Sequence, residues 1–569
     1  MAEHEVAGRG LARVDAPDKA AGRARFAADV PANQALIGLV LRSPHAHARV
    51  LSVDVGRARR ISGVRAVVSG ADCPEVRFGA EIKDQSLLAR GGVARYAGEP
   101  VAAVAADSLE AARAALEAIR VRYEVLEPVV DAIAAREGKG PVLHENWNQL
   151  GLGPGGEGNV IGRYEKLAGD PEAGFAAADR VFEHTFTTPF SHAAYLEPHA
   201  CLAEAGSNGR VTIWTATQSP FDARADVAEA LGMPESRIRI VPTEIGGGFG
   251  GKIRICIEPI AAFLAMRTGQ PVRMEMTREE DHIAVNPRHP FHIRIRTGVK
   301  ADGTFVARDM DLTMDHGAYG RGAQYNASSK LAMAASSYRI PNVRARSCIV
   351  YSNAPVCGPV RAPGGPQMHF ATEVHLNLIA RGMGLDPFEL RRRNAIREGE
   401  TSLFGVQQDD GLMRVLDRTA AEIDWKTPVR AGEAFPDGLG WKFGRGMACG
   451  FWPGPGGGAS CAMRLDEDGS VQVVAGSVNL TGATTSMCQI AAEELGVGLG
   501  AVRFESGDTD TAPRSVIAAG SMVTRSLGAA VLDGARDLKE KIFAVAAEKL
   551  EAAPEDLALK GGRVFVRAV

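Results

Sequence analysis

Apolar and polar positions follow a short-period pattern through the first ~130 residues. LIGLVLRSPH (36–45) and VRAVVSGAD (64–72) read as strands. A helix follows at Ser108–Arg120, where Leu109, Ala112, Leu116 and Ile119 share one face and Asp107 with Glu110 forms a capping-box pattern. It leads into VRYEVLEPV, again strand-like. Residues 1–130 are therefore expected to form a small α/β domain. Residues 131–170, rich in Gly, Pro and Asn, are expected to be a linker. Two larger regions follow, 171–425 and 426–569, and they share an echo. VAEALGMPESRIRIVPTEIGGG reads helix, Leu-Gly, strand, loop, and IAAEELGVGLGAVRFESGDTD repeats that order. Such repetition predicts duplicated α/β elements that bring two loops to comparable positions.

Composition narrows the classes. The 569 residues are 45% apolar and 23% charged, enough for several packed cores. The net charge of -3 and the lack of a basic run argue against a nucleic-acid partner. No run approaches the ~18 apolar residues of a membrane span, and the polar N-terminus does not resemble a signal peptide. The eight cysteines are scattered singly without a CxxC pair, which argues against a zinc or iron–sulfur cage and suggests reduced thiols in cytoplasm. The 65 glycines exceed the usual share of about 7%, and many are clustered.

The densest cluster is EIGGGFGGK, residues 244–252. As a phosphate loop it satisfies GxxxxGK, but Ile253 stands where a hydroxyl must hold magnesium. As a dinucleotide loop it satisfies GxGxxG, yet no clean helix follows and no acidic residue stands about 20 positions on, where the chain reads Pro271-Val272. A third ligand fits better. Bare backbone around one Phe lets a bulky cofactor approach amide groups while the ring covers one side.

In this setting the chain resembles the molybdenum-binding large subunit of the xanthine dehydrogenase and aldehyde oxidase family. The motifs that carry the resemblance run in order along nearly the whole chain: LRSPHAHARV (41–50), YAGEPVAAVAAD (96–107), LEPHACLAE (196–204), WTATQSPFDAR (214–224), IGGGFGGK (245–252), YRIPNV (338–343), VRAPGGPQ (360–367), GDTDTAP (507–513) and GSMVTRSLGAAV (520–531). The resemblance implies a mixed α/β fold: a hammerhead-like N-terminal domain, then two molybdopterin-binding domains, the last incomplete. It implies that Gln218 hydrogen-bonds an oxo group of the cofactor, that Gly248, Phe249 and Gly250 sit beside the metal's apical ligand, and that Arg361 lies between cofactor and substrate cavity. Gly520, Ser521, Met522, Val523 and Thr524 would hold the molybdopterin, with a helix N-cap at Ser521 or Thr524 as the plainer role. Thr481 and Gly482 stand where many relatives carry Gly-Gln-Gly, so that contact would fall to Thr481, Thr484 or Thr485.

The substrate wall departs from the purine and carbon monoxide oxidisers. Ile253 replaces an acid, Ser329 an arginine, Pro363 an aromatic and Ala362 a copper-binding cysteine; Cys357 reads as a buried structural thiol. Phe451 and Trp452, with Ile253, are the expected substrate contacts, although packing beneath the loop is an equal role for the two aromatics. The family's catalytic glutamate lies in a Gly-x-Gly-Glu setting near the C-terminus of its large subunit, beyond the motifs matched here, and Glu157 in GPGGEGN is a decoy. The expected function is the molybdenum-cofactor subunit of a cytoplasmic, multi-subunit hydroxylase. Its substrate would be an aromatic N-heterocycle or an aldehyde, with water as oxygen source. The cofactor would be molybdenum–molybdopterin in its cytosine dinucleotide form. Iron–sulfur ([2Fe-2S]) and FAD subunits, and a second polypeptide bearing the glutamate, would complete the enzyme. The alternative is a non-catalytic paralogue that carries or inserts the cofactor.

Overall fold

The computed structural model describes residues 4–89, 92–322, 330–427 and 444–567. Two large sheets organise it. The first has seven strands in the order Ile238–Pro242, Val211–Thr215, Ala200–Ala205, Val272–Glu275, Leu36–Arg42, Pro100–Ala106, Val64–Ser69. Leu36–Arg42 pairs in parallel with Val272–Glu275, Leu36 opposite Val272, so one sheet runs through the expected boundary at residue 130. Its buried strands read as continuous apolar runs (VAAVAA at 101–106 is fully buried), as expected where helices cover a sheet. The helix Glu258–Thr268 lies in this core, with Pro259 to Ala265 all buried.

The second sheet has five strands, in the order Val160–Ala168, Asn342–Val350, Phe305–Asp315, Phe291–Val299, Arg180–Thr188. The stretch 131–170 thus contributes a nine-residue strand, Val160–Ala168, besides loops. Its alternation is confined to GRYEKLA, which Gly and Pro on the N-terminal side obscure. The helix Gly365–Met383 packs this sheet, and beneath it Arg391 and Glu373 form a buried ion pair at 2.8 Å. The Glu373 carboxylate also accepts from Tyr338 Oη at 2.7 Å and from the Cys449 amide at 2.8 Å, which ties the segment after residue 443 to this body.

The echo seen in the sequence is a structural duplication. Val211–Thr215, the helix Pro220–Leu231 and Ile238–Pro242 form one strand–helix–strand unit with parallel strands. Val471–Ala475, the helix Ala483–Glu494 and Val502–Ser506 form a second, again parallel. Each has an antiparallel strand outside it, Ala200–Ala205 and Ala462–Leu465. The loop after the second unit's last strand meets the edge strand of the first: the Ile240 amide donates to Thr509 Oγ1 at 3.0 Å and the Thr509 amide to the Ile240 carbonyl at 3.1 Å.

The early helix spans Leu109–Ala118, and its cap is Ser108, whose hydroxyl accepts from the Ala111 amide at 3.2 Å. Asp107 does not cap it, because its carboxylate is held by Nε and Nη2 of Arg65, at 2.8 and 2.7 Å. At the start of the chain, residues 4–15 lie along the Ala483–Glu494 helix. The Val6 and Ala7 amides donate to Glu493 Oε2, and Asn479 Nδ2 donates to Asp15. Among the described residues no helix is long and apolar enough to cross a membrane.

Candidate functional site: a cofactor cradle beside an apolar cavity

Four of the predicted motifs converge on one small apolar cluster. Ala216, Ile245, Val478 and Ala518 are among its buried members, and Leu480 and Val523 pack against it. It lies where the loops of both duplicated units come together. Gln218, in the middle of its motif, is buried and bridges them. Its Nε2 donates to the Ala518 carbonyl at 2.7 Å, and its Oε1 accepts from the Gly250 amide at 2.9 Å. The Ala518 amide returns a bond to the Gln218 carbonyl at 2.9 Å. One hydrogen of Nε2 remains to be given to a ligand.

The glycines of the loop are required by contact. A Cβ on Gly248 would stand 2.5 Å from Gln218 Oε1, and one on Gly250, at φ +101°, would stand 2.2 Å from the Pro359 carbonyl. Phe249 is itself left-handed at φ 51° and 42% exposed, and its ring lies over Gly247 of the same loop. Its carbonyl accepts from the Arg361 amide at 2.7 Å, which places Arg361, also exposed, beside it. Ala362, Thr481 and Ser521 share the left-handed backbone, at φ 52°, 53° and 62°. Non-glycine residues adopt this region rarely and at some cost, and such residues gather at ligand sites.

A support of buried charge lies beneath the loop. Glu197 Oε2 accepts from the Gly246 amide at 2.7 Å and from Lys252 Nζ at 2.6 Å, so one carboxylate oxygen ties both ends. Burial pushes the Lys252 ammonium below its usual range, against the pull of Glu197. Lys252 Nζ lies 4.8 Å from the Tyr195 ring centre, and Tyr195 Oη donates to Asp281 at 3.0 Å. Burial opposes the charge on Asp281, yet hydrogen bonds from His192, His199 and Tyr195 hold its carboxyl below the usual range.

The cofactor implied by these motifs is tested by what the backbone offers. Among the described residues the amides of Gly248, Phe249, Gly520 and Ser521 give no hydrogen bond within the chain. Gly520 and Ser521 are left-handed and lead into a π-turn, Val523–Leu527, that opens the helix Gly528–Leu550. Met522, not Ser521 or Thr524, is the cap residue of that turn, and no side chain caps it. Free amides at a helix start suit an anionic group. The residues present fit a molybdopterin. At the other loop Gly482 begins the Ala483–Glu494 helix; Thr481 Oγ1 turns to the Leu480 carbonyl and Thr485 Oγ1 accepts from the Val14 amide. Of the three threonines considered there, Thr485 is buried and used by the N-terminal segment.

A cavity of about 450 Å³ adjoins the Gly520 loop. Ile253, Trp452, Pro363 and Met522 line it, as do Lys330 and Cys357. Trp452 Nε1 donates to the Gly520 carbonyl at 3.1 Å, which joins the cavity to the cradle. Phe451 is turned away and packs on Phe404 with ring centres 5.2 Å apart. Ser329 lies outside the described residues. Glu157 sits in a tight turn, its amide bonded to the Val160 carbonyl, and is not a lining residue. The supports Tyr195, Glu197 and Asp281 have no signature of their own in the sequence, although Glu197 stands inside a quoted motif; pairing over 49 residues leaves no local signal.

Comparisons with known proteins agree with this geometry. Residues 153–395 and 418–569 match models of the molybdopterin cofactor-binding domain, and 21–127 match the aldehyde oxidase and xanthine dehydrogenase a/b hammerhead domain. The chain is 32% identical over 577 residues to the xanthine dehydrogenase molybdenum-binding subunit of Escherichia coli O157:H7, spanning 97% of this chain and 75% of that one. It is 33% identical over 419 residues to the nicotinate dehydrogenase large molybdopterin subunit of Eubacterium barkeri, spanning 73% of this chain and 96% of that one. A probable xanthine dehydrogenase component of Bacillus subtilis is 34% identical over 510 residues, and the match spans 66% of its length. Quinoline 2-oxidoreductase from Pseudomonas putida 86 superposes with a TM-score of 0.81 at 26% identity, over 99% of this chain and 74% of that one. Carbon monoxide dehydrogenase from Oligotropha carboxidovorans gives 0.84 at 26%, over 98% and 74%. With the cradle, the duplicated units and these matches together, the chain belongs to the xanthine dehydrogenase and aldehyde oxidase family of molybdenum hydroxylases and carries its molybdopterin-binding domains.

Proposed function

We propose that this chain is the molybdenum-cofactor subunit of a multi-subunit hydroxylase that oxidises an aromatic N-heterocycle or an aldehyde. The observation that carries the proposal is the union of a backbone cradle and an apolar cavity through Trp452 and Gly520. A carrier or insertion chaperone needs a cradle but no substrate cavity. The reaction is R–H + H2O → R–OH + 2 H⁺ + 2 e⁻. When bound, the molybdenum cofactor, taken here in its cytosine dinucleotide form, supplies the centre for oxygen transfer and electron uptake.

The chain's own residues orient and enclose. Gln218 would offer its remaining Nε2 hydrogen to an oxygen of the cofactor. Gly248, Phe249 and Gly250 would wall one side of the cofactor, with the Gly248 and Phe249 amides as donors to it. Arg361 offers a planar fork to the anionic pterin side. The amides of Gly520, Ser521, Val523 and Thr524, with Met522 between them, would hold the pterin's anionic groups. Thr481 and Gly482 approach it from the second duplicated unit. Ile253 and Trp452 press on a flat substrate and exclude water; Phe451, packed on Phe404, fixes the Trp452 segment from behind. The base that takes the proton from water would be a glutamate in the family's Gly-x-Gly-Glu setting, brought to the cavity by a further polypeptide segment. Subunits bearing [2Fe-2S] and FAD would take up the two electrons. The assembly is placed in the cytoplasm, where eight free thiols are stable.

The test is co-expression of the chain with the candidate glutamate-bearing polypeptide and redox subunits. Metal analysis and assays follow, with quinoline-type rings, benzaldehyde and xanthine and an artificial electron acceptor. Turnover of a heterocycle or aldehyde is expected. Full molybdenum occupancy and turnover by this chain alone, or xanthine as the best substrate by kcat/KM, would overturn it.

A further inference from the structure

The charges around the cavity are unequal. Among the described residues, Arg42, Arg254, Arg321 and Lys330 line it, against the carboxyls of Glu81 and Glu99. Burial raises the Glu99 carboxyl above its usual range, which weakens the negative side further. The arginines face carboxylates: Arg321 and Arg254 approach Asp226, and Arg42 lies 3.4 Å from Glu280.

Position singles out Lys330. Two consecutive glycines border two different groups, and the first of them makes room for its neighbour. A Cβ on Gly364, at φ +80°, would lie 2.4 Å from both Cδ and Cε of Lys330. A Cβ on Gly365 would lie 3.8 Å from the Trp452 ring. The Gly364–Gly365 step therefore sets an ammonium stem and an indole side by side in one cavity. The indole N–H is used by Gly520, so its face is what a ligand meets. Lys330 is 4% exposed, and burial pushes its ammonium down to about 8. It stays mostly charged at neutral pH, and a desolvated ammonium gains from an anion placed beside it. The cavity's volume of about 450 Å³ suits one or two rings.

We propose that Lys330 is the specificity-determining residue of this cavity and that it selects flat aromatic substrates bearing a carboxylate, with the ring against Trp452 and the carboxylate on the ammonium. The proposal rests on the oxidation assigned above and narrows its substrate class. It is tested on the purified complex by calorimetric binding of two matched pairs, benzoate against benzamide and nicotinate against nicotinamide. Turnover of each is followed separately with an artificial acceptor. Each carboxylate is expected to bind at least ~10-fold tighter than its amide, a preference lost in Lys330→Met and kept in part by Lys330→Arg. Equal binding of acid and amide by the unmutated complex, or an intact preference in a folded Lys330→Met, would overturn the assignment. A carboxylate preference without turnover of any probe would support Lys330 as the anchor and count against the proposed oxidation.

Discussion

Gln218 shows how much a single side chain can be asked to do. It joins the two duplicated units, fixes the Gly250 amide and leaves one Nε2 hydrogen unused within the chain. Gln218→Ala should leave the Gly250 N–H and Ala518 C=O unpaired, costing about 1–3 kcal/mol. Turnover per bound molybdenum should fall further, roughly 10–100-fold. Metal content, thermal unfolding and steady-state rate on one preparation separate the two effects. A fully loaded variant with an unchanged rate would contradict the assigned role. Gln218 is visible in the sequence because it belongs to a long motif, and Ile253 because it breaks one. Glu197 and Asp281 are not, since their meaning comes from partners that only the fold supplies. Phe451 and Trp452 are adjacent in sequence yet part company in space, one onto Phe404 and one into the cavity. An aromatic pair carries no local sign of which ring turns inward.

The strand–helix–strand unit is legible because its order repeats at two places with matching Leu-Gly punctuation. The strand Val160–Ala168 is not, because glycines and a proline just before it carry the stronger local signal. The support beneath the glycine loop is an element-level device: Asp281 sits near the start of one helix, Tyr195 and Glu197 lie on one loop, and Lys252 ends another. Asp281 has a folded-state carboxyl held below its unfolded value. Its stabilisation is therefore present above about pH 4 and lost as pH falls through the folded value. Asp281→Asn should lower stability at pH 7 and make the acid side of the stability curve shallower. Urea unfolding from pH 7 down to pH 3 checks this; an unchanged acid slope would show that other carboxylates carry it. Lys252→Met, which strands Glu197, should disturb the loop itself and cost about 3–5 kcal/mol.

Across the whole molecule, the boundary expected at residue 130 is bridged by a common sheet, and residues 4–15 bind the segment from Asn479 to Glu493. Neither follows from composition, because strand pairing between distant segments is chosen by the shape of the assembled sheet. The Glu493 carboxylate accepts amides from Ala7, Val6 and Glu5, which draw its carboxyl down to about 2. Glu493→Ala should therefore free these residues: limited proteolysis of the variant at pH 7 is expected to clip near residues 4–15 while leaving the sheets intact. Equal resistance of variant and unmutated chain would show that Asp15 and its partners Arg13, Lys19 and Asn479 suffice.

The clasp between Val6 and Glu493 also sets an order of events at the ribosome. Val6 has no partner there until 487 more residues have been made. At 5–20 residues per second that wait is roughly half a minute to a minute and a half. Gln218 waits likewise for Ala518, 300 residues on. The early sheets can form during synthesis, but the pterin cradle cannot close until the second unit has left the exit tunnel. Loading of the cofactor is thereby deferred until both duplicated units have been translated.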